Sequence, residues 1–272
     1  MNKINLIVFV LLLALVVVGV TIYRQYQPQA DPAVETVQPA APEEPIKRQV
    51  VHYPVPETPP QDNATQDPTQ TQLPEVLPPV QESDQSIGQA LEGLFAGQKL
   101  SQLLFLENFI QRAVATIDNL PEKRLPRAHF PIKPPAGNFI VSGTPEAPQI
   151  SSLNSERYLP YLELLESTDP ELTVKIYTHF YPLFQKAYEQ LGYKNAYFND
   201  RLVFVIDHLL DTPNPADPLQ LEQPGVLFTY TDHQLENRSA GQKILLRIGQ
   251  EQRIRVFKVL SAYKAKLTNM KP

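Results

Sequence analysis

The hydrophobic positions of the chain fall into three regimes. In the first, residues 4–23 read INLIVFVLLLALVVVGVTIY, with no charge and almost no polar side chain. About 20 helical residues rise roughly 30 Å, the thickness of a bilayer's hydrocarbon core. A cleaved signal peptide has an apolar region of only about 7–15 residues, followed by a small-residue cut site. Here the run continues through Val20, Ile22 and Tyr23, and no A-x-A pattern follows. The stretch predicts an uncleaved transmembrane helix behind a tail of residues 1–3. Lys3 and the terminal amine stand on one side and Arg24 on the other, a weak charge bias. The short tail favours a cytoplasmic N-terminus and an exported C-terminal part.

In the second regime, residues 24–82, apolar periodicity disappears. PAAPEEP, PVPETPPQ and PEVLPPVQ alternate proline with Gln, Glu, Thr and Ala. Such a stretch buries too little surface to offset its ordering entropy, so it predicts a disordered linker. Proline biases it toward extended polyproline II, and the roughly 55 residues from Gln27 to Glu82 reach at most roughly 170 Å at ~3.1 Å per residue. His52 falls in this linker and is expected to be solvated.

Residues 83–268 return to apolar spacing, mostly of helical period, and residues 269–272 form a tail. Ile87, Ala90, Leu91, Leu94 and Phe95 mark a helix stopped by Gly97. Ser101 suits the cap of a helix carrying Leu103, Leu106, Ile110, Val114 and Ile117 and ending before Pro121. A long irregular stretch follows, with one short strand at Asn138–Val141. Helix resumes over 155–167, with Pro160 a possible break. STDPEL then opens the clearest helix: Asp169 at the cap, Pro170 in the first turn, Glu171 at the positive dipole end. Leu172, Ile176, Phe180, Leu183, Ala187 and Leu191 hold one stripe across Pro182, which argues for a single kinked helix ended by Gly192.

The next helix, in YFNDRLVFVIDHLLDTP, takes Asn199 as its N-cap. Pro224-Gly225 fits a type II turn between strands Leu219–Glu222 and Val226–Tyr230. Ser239 and Gln242 form a capping box for KILLRI, and Gly249 breaks the run. Val256, Leu260, Tyr263 and Leu267 make the last buried stripe. The expected fold is mainly α: a compact helical domain with one small β-hairpin, preceded by the transmembrane helix and the proline-rich linker.

Composition narrows the function classes. The net charge of −5 argues against a general nucleic-acid partner. The absence of cysteine excludes disulfides, thiolate nucleophiles and cysteine lipidation. No P-loop, G-x-G-x-x-G or G-x-S-x-G occurs, and no cofactor is implied. The C-terminal residues Lys243, Arg247, Arg253, Arg255, Lys258, Lys264, Lys266 and Lys271 meet only Glu251, the pattern of a solvated face or of attraction to anionic lipid.

Two constellations remain. On the helical wheel, Asp200, Arg201, Phe204, Asp207 and His208 share one face, opposite Leu202, Ile206, Leu209 and Leu210. Asp200 and Asp207 stand two turns apart, roughly 10 Å along the axis, too far to share one ion. Asp207, His208 and Asp211 have usable helical spacing for a metal or acid–base site. The competing reading is ordinary: Asp200 serves the helix start, His208 complements the C-terminal dipole, and the charges pair with other helices. His179 borders an apolar stripe and reads as a satisfied core residue. The second constellation is aromatic. Tyr177, Phe180, Tyr181, Phe184, Tyr188, Tyr193, Tyr197 and Phe198 exceed what one helix face buries. They are core, or Tyr177, Tyr181, Tyr188, Tyr193 and Tyr197 line an exposed groove for a peptide or glycan.

From about Gly93 onward, the blocks ENFIQRAVATIDNLP, YLPYLELLESTDP, YPLFQKAYEQLGY, YFNDRLVFVIDHLLDTP and SAGQKILLRIG together resemble domain-of-unknown-function family three-thousand-and-fourteen. The resemblance implies a single-span envelope protein of Gram-negative bacteria with a mostly helical head. It implies no activity and hands over no catalytic residues. The expected protein is therefore a single-pass inner-membrane protein whose periplasmic head is non-enzymatic and binds an envelope protein or cell-wall component. The rival is a metal-assisted envelope hydrolase using Asp207, His208 and Asp211.

Overall fold

The computed structural model describes residues 51–56, 74, 76–95, 100–167 and 170–270. The predicted transmembrane helix, residues 24–50 of the linker and the Asp169 cap lie outside the described residues. Among the described residues, no helix is long and apolar enough to cross a membrane. In chain order the helices are α1 (Asp84–Leu94), α2 (Leu100–Leu103), α3 (Phe109–Asn119), α4 (Leu153–Glu156), α5 (Leu159–Glu166), α6 (Pro170–Gln190), α7 (Phe198–Leu210), α8 (His233–Glu236), α9 (Ala240–Arg247) and α10 (Gln250–Thr268). The strands are β1 (Val141–Thr144), β2 (Ala147–Ile150), β3 (Leu221–Glu222) and β4 (Thr229–Tyr230).

Helix α7 is the axis of the domain, packed by α3, α6, α9 and α10. Its apolar positions Leu202, Val205, Ile206 and Leu209 are wholly buried. The α10 stripe of Val256, Leu260, Tyr263 and Leu267 is buried as its spacing predicts. Helix α6 runs unbroken across Pro182, and its stripe is buried from Ile176 to Ala187, while Leu191 is exposed. Gly192 ends it with φ +111°, a conformation that glycine adopts without strain. Pro160 does divide its region: it sits in the first turn of α5, after the short α4.

The helix expected to run from Ser101 to Pro121 is instead two. After α2, Leu104 pairs with Ile132 as an isolated bridge. The Phe105 amide donates to the Pro131 carbonyl at 2.7 Å, and the Lys133 amide to the Leu103 carbonyl at 2.8 Å. Asn108 then turns the chain at φ 51°. Asp84 accepts the Asn108 and Phe109 amides at 2.7 and 3.1 Å, capping α3 from a distant element. Both pieces face the same core, so the hydrophobic stripe stays in phase through the break and conceals it.

The β structure also departs from expectation. The predicted strand at Asn138–Val141 begins instead at Val141, and β1 pairs antiparallel with β2 in a hairpin that the sequence reading lacked. Gly143 has φ +89°, and a side chain there would collide with the Ala147 carbonyl. In the second hairpin, β3 and β4 are only two residues each. The positive-φ glycines among the described residues are 137, 143, 192 and 249, so the predicted type II turn at Pro224-Gly225 is absent. The hairpins meet through the Gln149–Gln220 bridge. Ile150, Leu219, Leu221, Tyr230, Leu235 and Leu246 form a second small core there.

The basic C-terminal residues are not simply a solvated face. Lys243 pairs with Glu236 at 2.8 Å, Arg255 with Glu166 at 2.5 Å, Lys266 with Glu171 at 3.3 Å, and Lys264 with Asp207. Arg253 is fully buried. Its Nε donates to Asn214 Oδ1 and its Nη2 to the Pro215 carbonyl, both at 2.8 Å. Its Nη1 lies 3.4 Å from the Leu245 and Leu246 carbonyls. Loss of hydration lowers the guanidinium's pKa, and the charge of Asp217 opposes that effect. Arg253 thereby fastens the α7–β3 connection to α9 and α10.

Candidate functional site

The polar face of α7 holds five candidate residues, and the structure sends them to different places. The N-cap position belongs to Tyr197 in extended conformation, not to Asn199 as expected. The first helical amide, that of Phe198, is taken by Gln185 Oε1 of α6 at 2.8 Å. The Gln185 amide group donates to the Ala196 carbonyl at 2.9 Å. With its helix start already capped from α6, Asn199 is free for another task. It is wholly buried; its Oδ1 accepts from the Tyr177 hydroxyl at 3.2 Å, and its Nδ2 donates to the Tyr53 carbonyl at 2.8 Å.

Asp200 completes that contact. Its Oδ1 accepts the Tyr53 amide at 2.7 Å, and its Oδ2 lies 3.0 Å from His52 Nδ1. The His52 ring lies against Tyr197, centroids 4.0 Å apart at 37°. His52 stays exposed, as its linker position implies, but is drawn onto Asp200 and Tyr197. Asn199 and Asp200 grip the carbonyl and amide of one residue, as the edge of a neighbouring strand would.

Arg201 faces α3. Its Nε bonds Asp118 Oδ1 at 2.8 Å and its Nη2 the Asp118 carbonyl at 2.6 Å. The Tyr193 hydroxyl donates to Asp118 Oδ2 at 3.1 Å, and the negative charge of Asp118 is the main cause raising the Tyr193 phenol's pKa. The guanidinium also lies over the Phe204 ring, 5.1 Å from its centroid.

Asp207 pairs with Lys264 of α10, and that hydrogen bond is the main cause raising the lysine's pKa. His208 turns to α9, with Nε2 2.8 Å from Ser239 Oγ. Burial lowers its pKa, and the Asp211 charge acts the other way. Ser239 Oγ also accepts the Gln242 amide at 3.2 Å, one arm of the expected capping box. The other arm is not made: the Gln242 side chain donates to the His208 carbonyl at 3.0 Å. Asp211 is the exposed C-cap of α7. Asp207 and His208 are thus held by different helices. Among the described residues, no three His, Asp or Glu side chains gather as metal ligands would.

The five tyrosines do not line one groove. Tyr177 and Tyr188 are core, in contact with Phe184 and Phe198. Burial pushes Tyr188 up to about 12 and Tyr177 well above its ordinary value. Tyr181 is half-buried, donates to Gln185 at 3.1 Å, and is pushed up to about 12 by burial. Tyr193 is exposed and stacks on Tyr188 at 4.5 Å; Tyr197 is exposed and carries His52. His179 is half-buried and half-satisfied, not the satisfied core residue its stripe implies. Burial lowers its pKa against a hydrogen bond to the Pro74 backbone, and its buried Nε2 has no partner among the described residues.

Asp118, Gln185 and Tyr53 are the site residues that sequence reasoning missed. Spacing gives no sign of them, because their partners lie far away in the chain. One cue exists for Tyr53: VHYPVP places a histidine and a tyrosine together in a stretch rich in Pro, Gln and Glu. What the assembled face can do is hold an extended main chain and fasten α3, α9 and α10 around α7.

No characterised protein and no solved structure matches the chain. A family model described as "Protein of unknown function (DUF3014)" matches residues 109–264, from α3 to the last turns of α10, and the chain belongs to that family.

Proposed function

We propose that the protein is a membrane-anchored binding or scaffolding protein. Residues 4–23 hold it in the inner membrane with its N-terminus in the cytoplasm. The proline-rich stretch then spaces the helical head into the periplasm, where the head engages an envelope protein or cell-wall component. The observation that supports a binding head is the commitment of α7's polar residues. Asp200, Arg201, Asp207 and His208 are each engaged by a different partner element. Groups used in this way hold a surface in shape; an acid–base pair needs both members aimed at one reacting atom.

The test is complementation in a strain lacking the gene, read as envelope integrity. Asp207→Asn and His208→Gln are expected to complement as the natural chain does, and deletion of residues 24–50 is expected to abolish complementation. Loss of complementation by either point variant with unchanged thermal unfolding would instead assign α7 a chemical role.

A further inference from the structure

Segment 51–56 is held by its main chain and by alternate side chains. The Tyr53 amide and carbonyl are both taken, by Asp200 at 2.7 Å and by Asn199 at 2.8 Å. Tyr53 and Val55 turn inward against the main core, while His52 and Pro54 face outward, the two-residue period of a strand. Pro54 holds the residue before it in extended conformation, so the segment meets the groove with little entropy to lose. His52 adds its bond to Asp200 and its contact with Tyr197. This is recognition of an extended peptide: the backbone supplies the attraction, and two inward side chains around a proline supply the selectivity.

We propose that the groove at the start of α7 is the head's peptide-docking site, and that the chain's own His52-Tyr53-Pro54-Val55 is its resident, displaceable occupant. The ligand class is an extended peptide carrying aromatic–Pro–aliphatic. The inference rests on the reading of the head as a binding domain, but it is tested with purified protein alone and can fail by itself. The attached segment competes at an effective concentration of about the millimolar range, which keeps the site closed against weak ligands.

The experiment uses the full chain in detergent micelles and a fluorescein-labelled synthetic peptide spanning residues 48–58. A triple variant, His52→Gly, Tyr53→Gly and Val55→Gly, empties the groove. It is expected to bind the peptide saturably and at least tenfold more tightly than the natural chain does. Adding Asp200→Ala to the triple variant should weaken that binding at least tenfold. Equal binding to natural chain and triple variant, or no binding to a triple variant that still unfolds cooperatively, overturns the proposal. So does a triple variant that fails to fold, since the segment is then an integral part of the core. Dimers of the natural chain that dissociate in the triple variant would assign the groove to a second copy and overturn the occupant named here.

Discussion

Asn199 and Tyr53, 146 residues apart in the chain, are joined by a 2.8 Å hydrogen bond from the buried Asn199 side chain to the Tyr53 carbonyl. The bond exists because α6 supplies the cap that Asn199 would otherwise provide, through Gln185. A residue type that ordinarily caps a helix start is thereby left, still buried, to hold another part of the chain. The same logic repeats along α7. Asp200, Arg201, Asp207 and His208 are each engaged by a neighbour, and the helix becomes the frame on which the head is assembled.

The Arg201–Asp118 pair is the strongest of these links. It combines an ion pair, a second hydrogen bond to the Asp118 carbonyl and the Phe204 ring. Both side chains are mostly shielded from solvent, so screening is modest. Arg201→Ala is expected to lower stability by about 1.5–3 kcal/mol, measured by denaturant unfolding. In a cycle with Asp118→Ala the two losses should fall short of adding, since each variant removes the same interaction.

Arg253 should tolerate no replacement. Its buried fork satisfies acceptors on the α7–β3 connection and in α9 at once, and lysine lacks the planar donors to do so. Arg253→Lys is expected to lower the thermal midpoint clearly. Arg253→Ala is expected to cost about 3 kcal/mol or more through the orphaned carbonyls and the lost packing.

Asp84→Ala removes the cap of α3 and is expected to cost about 0.5–2 kcal/mol. The accompanying sign is faster amide exchange at Asn108 and Phe109, with the α10 amides unchanged.

Acidification should destabilise the head before its carboxylates titrate. Burial lowers the pKa of His179 and His208 from the ordinary 6.5. Well above pH 6.5 both histidines are neutral in the folded and unfolded chains. As pH falls below 6.5, the unfolded chain takes up protons that the folded chain resists, so stability drops until the lowered folded values are passed. Denaturant midpoints measured from pH 7.5 downward should decline in that window, and the decline should flatten in a His179→Gln, His208→Gln variant. An unchanged slope in that variant would place the titration elsewhere.

What could be read from the sequence followed contact range. The α10 stripe, the unbroken α6 and the glycine stops at 192 and 249 are local patterns, and the structure repeats them. The outward face of α7 was legible in the same way, from Asp200 to His208. The break at Asn108 was hidden because its cause, Asp84, acts across 24 residues. Arg253 read as one more surface cation, since a charged residue gives no local sign that four neutral acceptors await it. The first hairpin was obscured by Gly143 and by Pro148, both poor strand formers. For the site, residue types were visible and partners were not: nothing near Asp200 points to Tyr53.

Amide hydrogen exchange at Tyr53 in the whole chain reads out directly whether α7 is a frame that also holds the chain's own extended segment. Protection of that amide well beyond its unstructured rate is expected, and it is lost in Asp200→Ala while the α10 amides stay protected. Exchange at the unstructured rate in the natural chain would contradict that role of α7.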